Sequence, residues 1–259
     1  MTVRDAEGRL VTDLPRDAFE VYEDGNRQAI TQFTSERVPI SLGMLLDVSD
    51  SMYGRRMQDA RGAVERFLFE LLDPADEFFI LAFNHQPSIL TGWTKTTAAV
   101  RRALDGLRAF GGTAIYDAVL ASLPIVETRS EERTALVLIS DGADTASDVT
   151  LRHVRSALLR SDAFVYAIAI NPPESRPINT QVNPTALREI TDGSGGRTEV
   201  VRDTADLVAA TSSIAEELNH QYVLGYNSPH GPDGKYHAIR VRVRDPNHRV
   251  RARNGYVAE

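Results

Sequence analysis

Short apolar runs alternate with helical patterns through the middle of this chain, and this alternation restricts the possible folds more than any other feature. The runs 40–46, 78–81 and 136–139 are apolar at nearly every position, which is typical of strands buried on both faces of a mostly parallel sheet. Alternating strands and helices predict an α/β fold, a doubly wound and mostly parallel sheet with helices on both faces. The predicted strands are 39–46, 77–83, 88–90, 133–141, 164–170 and 197–201, and the predicted helices are 53–72, 96–107, 114–126, 149–160, 185–190 and 204–218, with a proline-rich loop at 172–184.

The two ends of the chain have the pattern of antiparallel strands. Near the N-terminus, the strand-like runs 19–23 and 27–33 flank Asp24-Gly25, a dipeptide that readily adopts the positive φ values of hairpin turns. Two strands alone are only marginally stable, so they need a partner. The other end offers three more strand-like runs, 221–226, 236–244 and 249–257. We therefore predict an N-terminal β segment (1–37), a central α/β domain (38–218) and a C-terminal β segment (219–259) that packs with the first.

Hydroxyl and carboxylate side chains collect where the predicted parallel strands end. Asp47, Ser49 and Ser51 follow the run 40–46 directly, and Asp141 follows the run 136–139. Ligands of such sheets bind in the crevice at the carboxyl ends of the strands. Thr113 adds a further hydroxyl next to two glycines, where the backbone can approach a ligand closely. Oxygen ligands of this kind predict a site for Mg2+, Mn2+ or Ca2+, with water or an incoming oxygen completing the coordination.

The ordered set Asp47-x-Ser49-x-Ser51, Thr113 and Ser140-Asp141-Gly142 resembles the metal-ion-dependent adhesion site of the von Willebrand factor type A domain. The resemblance covers about residues 38–218, and all five ligand positions match. It implies a Rossmann-like fold and a Mg2+-dependent protein-binding module, not an enzyme, in which an Asp or Glu carboxylate of a partner protein completes the metal site. The motifs Phe-Glu-Val-Tyr-Glu-Asp-Gly before the domain and Tyr-Val-Leu-Gly-Tyr after it resemble a bacterial group of such proteins, many of them exported.

Other interpretations of these residues remain open at this point. Asp47, Ser49 and Ser51 also suit the N-cap of the helix predicted from residue 53, and Thr113 suits the N-cap of the helix predicted from 114. A metal-dependent hydrolase is the main alternative function, although a phosphatase of the haloacid-dehalogenase type needs an Asp where Ser49 stands. A Gly-x-Ser-x-Gly nucleophile elbow is absent from the sequence. A third alternative is a structural domain whose metal only stabilises the fold.

Composition limits the partners and the compartment. The net charge of −7 argues against non-specific binding of nucleic acid. The segment 219–259 is basic, but its arginines alternate with apolar residues and lack the interleaved aromatic residues of a single-strand binding groove. The six histidines are scattered without ligand spacing, which favours structural or surface roles. The sequence contains no cysteine. We expect no transmembrane segment, and the first residues lack the apolar core of a signal peptide. The oligomeric state stays open.

Overall fold

The computed structural model of the chain describes residues 1–170 and 183–259. The predicted loop 172–184 therefore lies largely outside the described residues. In chain order the strands and helices are β1 (Thr2–Arg4), β2 (Phe19–Glu23), β3 (Asn26–Gln28), β4 (Ile30–Thr34), β5 (Ile40–Asp47), α1 (Arg55–Arg66), β6 (Glu77–Phe83), β7 (Pro87–Thr94), α2 (Thr97–Asp105), α3 (Ile115–Val126), β8 (Arg133–Ser140), α4 (Leu151–Leu158), β9 (Phe164–Ile170), α5 (Pro184–Ser194), β10 (Thr198–Val201), α6 (Thr204–Asn219), β11 (Val223–Tyr226), β12 (Tyr236–Val243), β13 (Arg249–Arg251) and β14 (Gly255–Val257). None of the helices in the described ranges is long and apolar enough to cross a membrane.

The largest sheet has six strands in the order β10-β9-β8-β5-β6-β7. All neighbours in it are parallel except β6 and β7, which form an antiparallel pair. Every residue of β5 and β6 is buried, because helices cover both faces of the sheet. The predicted α/β fold with a mostly parallel sheet is confirmed.

Alternate residues of the sheet point into two separate hydrophobic cores. Leu42, Met44 and Leu46 of β5 pack in one core with α1, α2 and α6. Leu45 packs in the other core with α3, α4 and α5. The two-residue period of a strand thus sends consecutive side chains to opposite layers, and this explains why the strand must be apolar at almost every position.

Several predicted elements have different bounds in the structure. The run 27–33 is divided between β3, which pairs with β2, and β4, which pairs with β11. The predicted strand 249–257 is likewise divided into β13 and β14, and the helix predicted at 185–190 is longer, as α5. The last part of the helix predicted at 53–72 is a π-helical turn at Phe67–Leu71. Alternating polarity marks a strand but does not identify which partner each half of it will pair with.

Strands from the two ends of the chain pair with each other. β1 pairs with β13, β2 with β12, and β4 with β11, all antiparallel. Their apolar faces form a third core around Phe19 and Tyr222, whose rings lie 4.9 Å apart. The small antiparallel sheets predicted from both ends are present, while the domain boundaries 1–37, 38–218 and 219–259 stay a prediction.

The buried carboxylate of Glu217 joins the last helix, α6, to these terminal strands. Its oxygens lie 3.1 Å from Arg4 Nη2, 2.8 Å from Arg197 Nε and 3.5 Å from Arg251 Nη1. The Thr2 hydroxyl donates to Glu217 as well, at 3.1 Å. Three guanidinium groups from three separate segments therefore converge on one acidic side chain that has no exposure to solvent.

The glycines that end α5 have a packing role. Gly195 has a φ of 91° at the C-cap of the helix, a left-handed conformation that favours glycine. A Cβ on Gly196 would lie only 1.9 Å from the carbonyl oxygen of Val165 in β9. The run Gly193-Ser194-Gly195-Gly196 ends a helix and does not open one, so it is not a phosphate-binding loop, and Gly196 allows close backbone packing instead.

We expect Gly196→Ala to lower the free energy of unfolding by about 1–3 kcal/mol, because the backbone of β9 must move to admit a methyl group. Chemical denaturation at several temperatures measures this change. Gly193→Ala is the matched control, since nothing lies within 4 Å of the added Cβ there and alanine favours a helix. Equal stability of the two variants would contradict the packing role of Gly196.

Candidate metal centre

The predicted ligands lie at the carboxyl edge of the six-stranded sheet. Leu46 pairs with Ile139 across β5 and β8, so Asp47 and Asp141 leave the sheet at nearly the same level. Asp47 is completely buried and Asp141 is 1% exposed. Parallel pairing brings the two carboxylates to one place although 94 positions separate them in the sequence.

Hydrogen bonds connect the serine hydroxyls with these carboxylates. The Ser51 hydroxyl donates to Asp141 Oδ1 at 2.5 Å, and the hydroxyl oxygens of Ser49 and Ser51 are 3.0 Å apart. Asp47 Oδ1 accepts from the backbone N–H of Ser49 at 2.8 Å, which turns the chain sharply after β5. Four of the five predicted ligands are thereby connected in one short hydrogen-bonded network, which Asp47 joins through the backbone N–H of Ser49.

Thr113 reaches the same place from the segment before α3. A Cβ on Gly142 would lie 3.1 Å from Thr113 Oγ1 and 3.8 Å from Ser51 Oγ, so both hydroxyls border the Cα atom of Gly142. Backbone bonds hold Thr113 there, because its carbonyl accepts from the N–H groups of Thr145 and Ala146 at 2.8 and 3.1 Å. The structure therefore brings all five predicted residues together at one edge of the sheet.

The electrostatics of the site favour a cation. Burial raises the pKa of Asp47 to about 6, hydrogen bonds from Ser140 and Ser49 oppose this rise, and the charge of Asp141 adds to it. Keeping a buried carboxylate ionised is costly unless a positive charge compensates it. A divalent cation between two carboxylates would provide that charge, and oxygen-only donors suit Mg2+ and Ca2+.

The helix-capping interpretation of these side chains is wrong. Helix α1 begins at Arg55 after Gly54 and has no side-chain cap, and the N-cap of α3 is Ala114, also without one. The side chain of Asp144 instead accepts the backbone N–H of Tyr116 at 3.0 Å in the first turn of α3. Asp47, Ser49, Ser51 and Thr113 are consequently left for another role.

Two residues of this site were not assigned a role from the sequence. The Ser140 hydroxyl donates to Asp47 Oδ2 at 2.6 Å, and the motif Ser-Asp-Gly was the signal that could have identified it. Arg56 lies with its Nε 3.6 Å from Asp141 Oδ2 and donates from Nη1 to the Ser51 carbonyl at 2.8 Å. Nothing in the local sequence pattern distinguishes Arg56 from the other arginines of α1.

Loops from three positions in the chain lie around the site. Asp50 donates its N–H to the Gly111 carbonyl, and Phe110 donates to Val48. The exposed ring of His85 lies against Phe110, with centroids 5.9 Å apart. Tyr53 is 81% exposed and Phe110 is 54% exposed, so aromatic side chains that are open to solvent flank the polar site.

Comparisons with known proteins identify the class to which this fold belongs. Residues 42–143 match the model of the von Willebrand factor type A domain. Human inter-alpha-trypsin inhibitor heavy chain H4 is 26% identical over 143 residues, which are 51% of this chain and 15% of the heavy chain. The solved structure of a von Willebrand factor type A protein from Catenulispora acidiphila superimposes with a TM-score of 0.60 at 20% identity, over 83% of this chain and 48% of that one. Proximal thread matrix protein 1 of the mussel byssus has a TM-score of 0.61 at 15% identity, over 75% of this chain and 49% of its own.

The chain contains a von Willebrand factor type A domain. Domains of this family are generally protein-interaction modules, and they commonly bind a divalent metal ion. The match covers only a small part of the inter-alpha-trypsin inhibitor heavy chain, so the functions of that whole protein do not transfer with the domain. The resemblance recognised from five polar residues is confirmed at the level of the family.

Proposed function

We propose that this protein binds a partner protein through a divalent cation, Mg2+ in the first place, held by Asp47, Ser49, Ser51, Thr113 and Asp141. Asp47 and Asp141 neutralise the cation, and the three hydroxyls supply uncharged oxygen ligands. An Asp or Glu carboxylate of the partner occupies a position that the protein leaves to water. This is a binding function without catalysis.

The observation that supports this proposal most directly is the position of the Ser51 hydroxyl. It lies between the hydroxyl of Ser49 and the carboxylate of Asp141, at 3.0 and 2.5 Å. Residues from two strand ends thus present oxygen atoms to one another in a largely buried place, where none of these side chains caps a helix through a hydrogen bond. Such a cluster of mutually facing oxygens is stabilised by a hard cation.

Arg56 sets a condition that the proposed cation has to meet. Its guanidinium group lies beside Asp141, so a positive charge already faces the carboxylate in the structure. A cation bound by Asp141 would share that carboxylate with Arg56.

The two exposed aromatic residues, Tyr53 and Phe110, offer apolar surface for the residues of the partner that flank its carboxylate.

The proposal is tested with a displayed library of random peptides, selected on the immobilised protein in the presence of Mg2+. We expect the selected peptides to contain Asp or Glu at one fixed position, and their binding to be lost with a chelator. Thr113→Val should weaken this binding by at least about ten-fold, as changes around metal ligands typically do. Thr113→Ser, which keeps the hydroxyl, should retain it.

Unchanged thermal stability of Thr113→Val would distinguish this function from a purely structural role of the metal. In that structural role, the variant would unfold at a lower temperature in Mg2+ and its peptide binding would be unaffected. Selected peptides that bind equally well in Mg2+ and in chelator would contradict the proposed function.

A further inference from the structure

A second group of metal-ligating side chains lies among the terminal strands, outside the site described above. Asp24 stands in the turn between β2 and β3, His230 lies between β11 and β12, and His237 is the second residue of β12. One ligand atom from each of these three residues lies within 4.8 Å of the others. The sequence did not indicate this group, because Asp24 and His237 are 213 positions apart and only the pairing of the two chain ends brings them together.

The imidazole of His237 is held between two carboxylates. Its Nδ1 lies 2.8 Å from Asp24 Oδ2 and its Nε2 lies 3.2 Å from Asp233 Oδ1. The side chain of His237 is 6% exposed, whereas Asp24 and Asp233 are about one third exposed. Because both ring nitrogens face acceptors, each nitrogen must carry a proton or another cation between itself and its carboxylate.

His230 brings a third donor atom to the same oxygen. Its Nε2 lies 3.4 Å from Asp24 Oδ2, and its ring is stacked on His237 with centroids 3.9 Å apart. Asp24 is itself fixed, since its other oxygen accepts the backbone N–H of Ala238 at 2.8 Å. The three donor atoms are therefore two imidazole nitrogens and one carboxylate oxygen, gathered around Asp24 Oδ2.

We propose that Asp24, His230 and His237 form a binding site for a transition-metal ion of the Zn2+ class, distinct from the oxygen-only site at the edge of the sheet. Imidazole nitrogen with one carboxylate oxygen is a donor set that suits Zn2+ and is foreign to Mg2+. With neutral imidazoles the group carries the two negative charges of Asp24 and Asp233, which a divalent ion balances. The ion replaces the proton between His237 Nδ1 and Asp24 Oδ2.

Asp233 has a positioning role in this site. By accepting a hydrogen bond from Nε2 of His237, it selects the tautomer in which Nδ1 is free of its proton and available to the metal. Carboxylates that orient a ligating histidine in this way recur in zinc sites.

Metal binding requires His230 to move. Because the nitrogen lone pairs lie in the ring plane, two stacked rings cannot both point at one ion. His230, the more exposed ring, must therefore turn out of the stack.

The site also has a structural consequence. Asp24 belongs to the N-terminal segment, while His230 and His237 belong to the C-terminal segment. A bound ion would connect the β2–β3 turn with the start of β12, next to the antiparallel pairing of β2 with β12 and β3. Ions that bind only the folded state stabilise it by mass action, so Zn2+ should raise the melting temperature of the protein.

Isothermal titration of the whole chain with Zn2+ tests the proposal. Asp47→Asn is used as the background, so that the oxygen-only site is removed. We expect one saturable Zn2+ site in this background, and loss of this site in the additional variant His230→Gln. Asp233→Asn should weaken it by about 10–100-fold, as expected for a carboxylate that orients a ligand. His220→Gln, which changes an exposed histidine outside the group, is the control and should bind normally.

Substitution of Co2+ for Zn2+ gives a second readout, since a cobalt ion with nitrogen ligands has visible absorption that reports its geometry. His230→Gln should abolish this absorption while the circular dichroism of the protein stays unchanged. Zn2+ affinity that is the same in His230→Gln and in the background, or the absence of any saturable Zn2+ binding, would overturn the proposal.

Discussion

Asp47→Asn is expected to abolish saturable binding of Mg2+ and leave the protein folded. Asp47 is one of two buried carboxylates at the proposed site, and an amide in its place removes half of the negative charge that balances the cation. Mg2+ requires near-ideal oxygen coordination and dehydrates reluctantly, so a neutral side chain cannot compensate for this loss. The shape of the side chain is preserved, and Asn can still accept the N–H of Ser49.

The metal-free variant should be at least as stable as the metal-free wild type at neutral pH. Burial raises the pKa of Asp47 to about 6, above its value in the unfolded chain. A carboxyl group whose pKa is raised in the folded state lowers the free energy of unfolding of the protein as the pH rises from about 4 to about 6. The variant has no carboxylate at this position, so its free energy of unfolding does not decrease over this pH range.

Titration calorimetry of the chelator-treated proteins measures the effect, with Mn2+ as a second cation. Acetate at high concentration stands in for the partner's carboxylate in a parallel titration. Asp50→Asn is the matched control, because Asp50 is an exposed carboxylate three positions further along the chain. Equal Mg2+ affinity in Asp47→Asn and wild type, with acetate as well as without it, would contradict the proposed metal site.

The second large effect is expected at Glu217, where Glu217→Gln should reduce the free energy of unfolding by about 3 kcal/mol, the lower end of the range for breaking a buried ion pair. The substitution leaves Arg4, Arg197 and Arg251 facing a neutral amide. Arg4 and Arg251 are 25% and 38% exposed, so water partly screens them, and Arg197 carries most of the cost. For a protein of this size we expect a decrease of about 6–12 °C in melting temperature.

The effect of Glu217→Gln should depend on pH in a defined direction. Burial alone would raise the pKa of Glu217, but the charges of Arg197, Arg251 and Arg4 outweigh burial and hold it below its usual range. A lowered pKa in the folded state stabilises the protein above the pKa of the unfolded chain, and this stabilisation disappears as the pH falls through the folded value. The difference between wild type and variant should therefore be full at pH 7 and shrink below about pH 4.

Thermal denaturation from pH 3 to pH 8 provides the measurement, and Glu216→Gln provides the control. Glu216 is the neighbouring residue on α6 and is exposed, so its replacement should change stability by less than about 0.5 kcal/mol. A pH-independent difference between Glu217→Gln and wild type would show that lost packing, and not lost charge, causes the destabilisation.

Local pattern was sufficient to predict the sheet and the candidate site. The strand β5 is apolar at nearly every position because both of its faces are covered, and a carboxylate follows directly where the strand ends. The same pattern recurs at β8 and Asp141. Adjacent parallel strands end at one edge, so two such exits predict one site when the strands are neighbours, as β5 and β8 are.

The tertiary structure alone decided which distant residues meet. Ser140 and Arg56 meet the carboxylates because β5 is in register with β8 and α1 begins nearby. Glu217 meets Arg4 and Arg251 only because both chain ends pack against α6. The grouping of Asp24 with His230 and His237 likewise depends on antiparallel pairing between β2 and β12. Strand and helix periods are local properties that a sequence displays directly, whereas a contact between residues 200 positions apart depends on packing that no local pattern encodes.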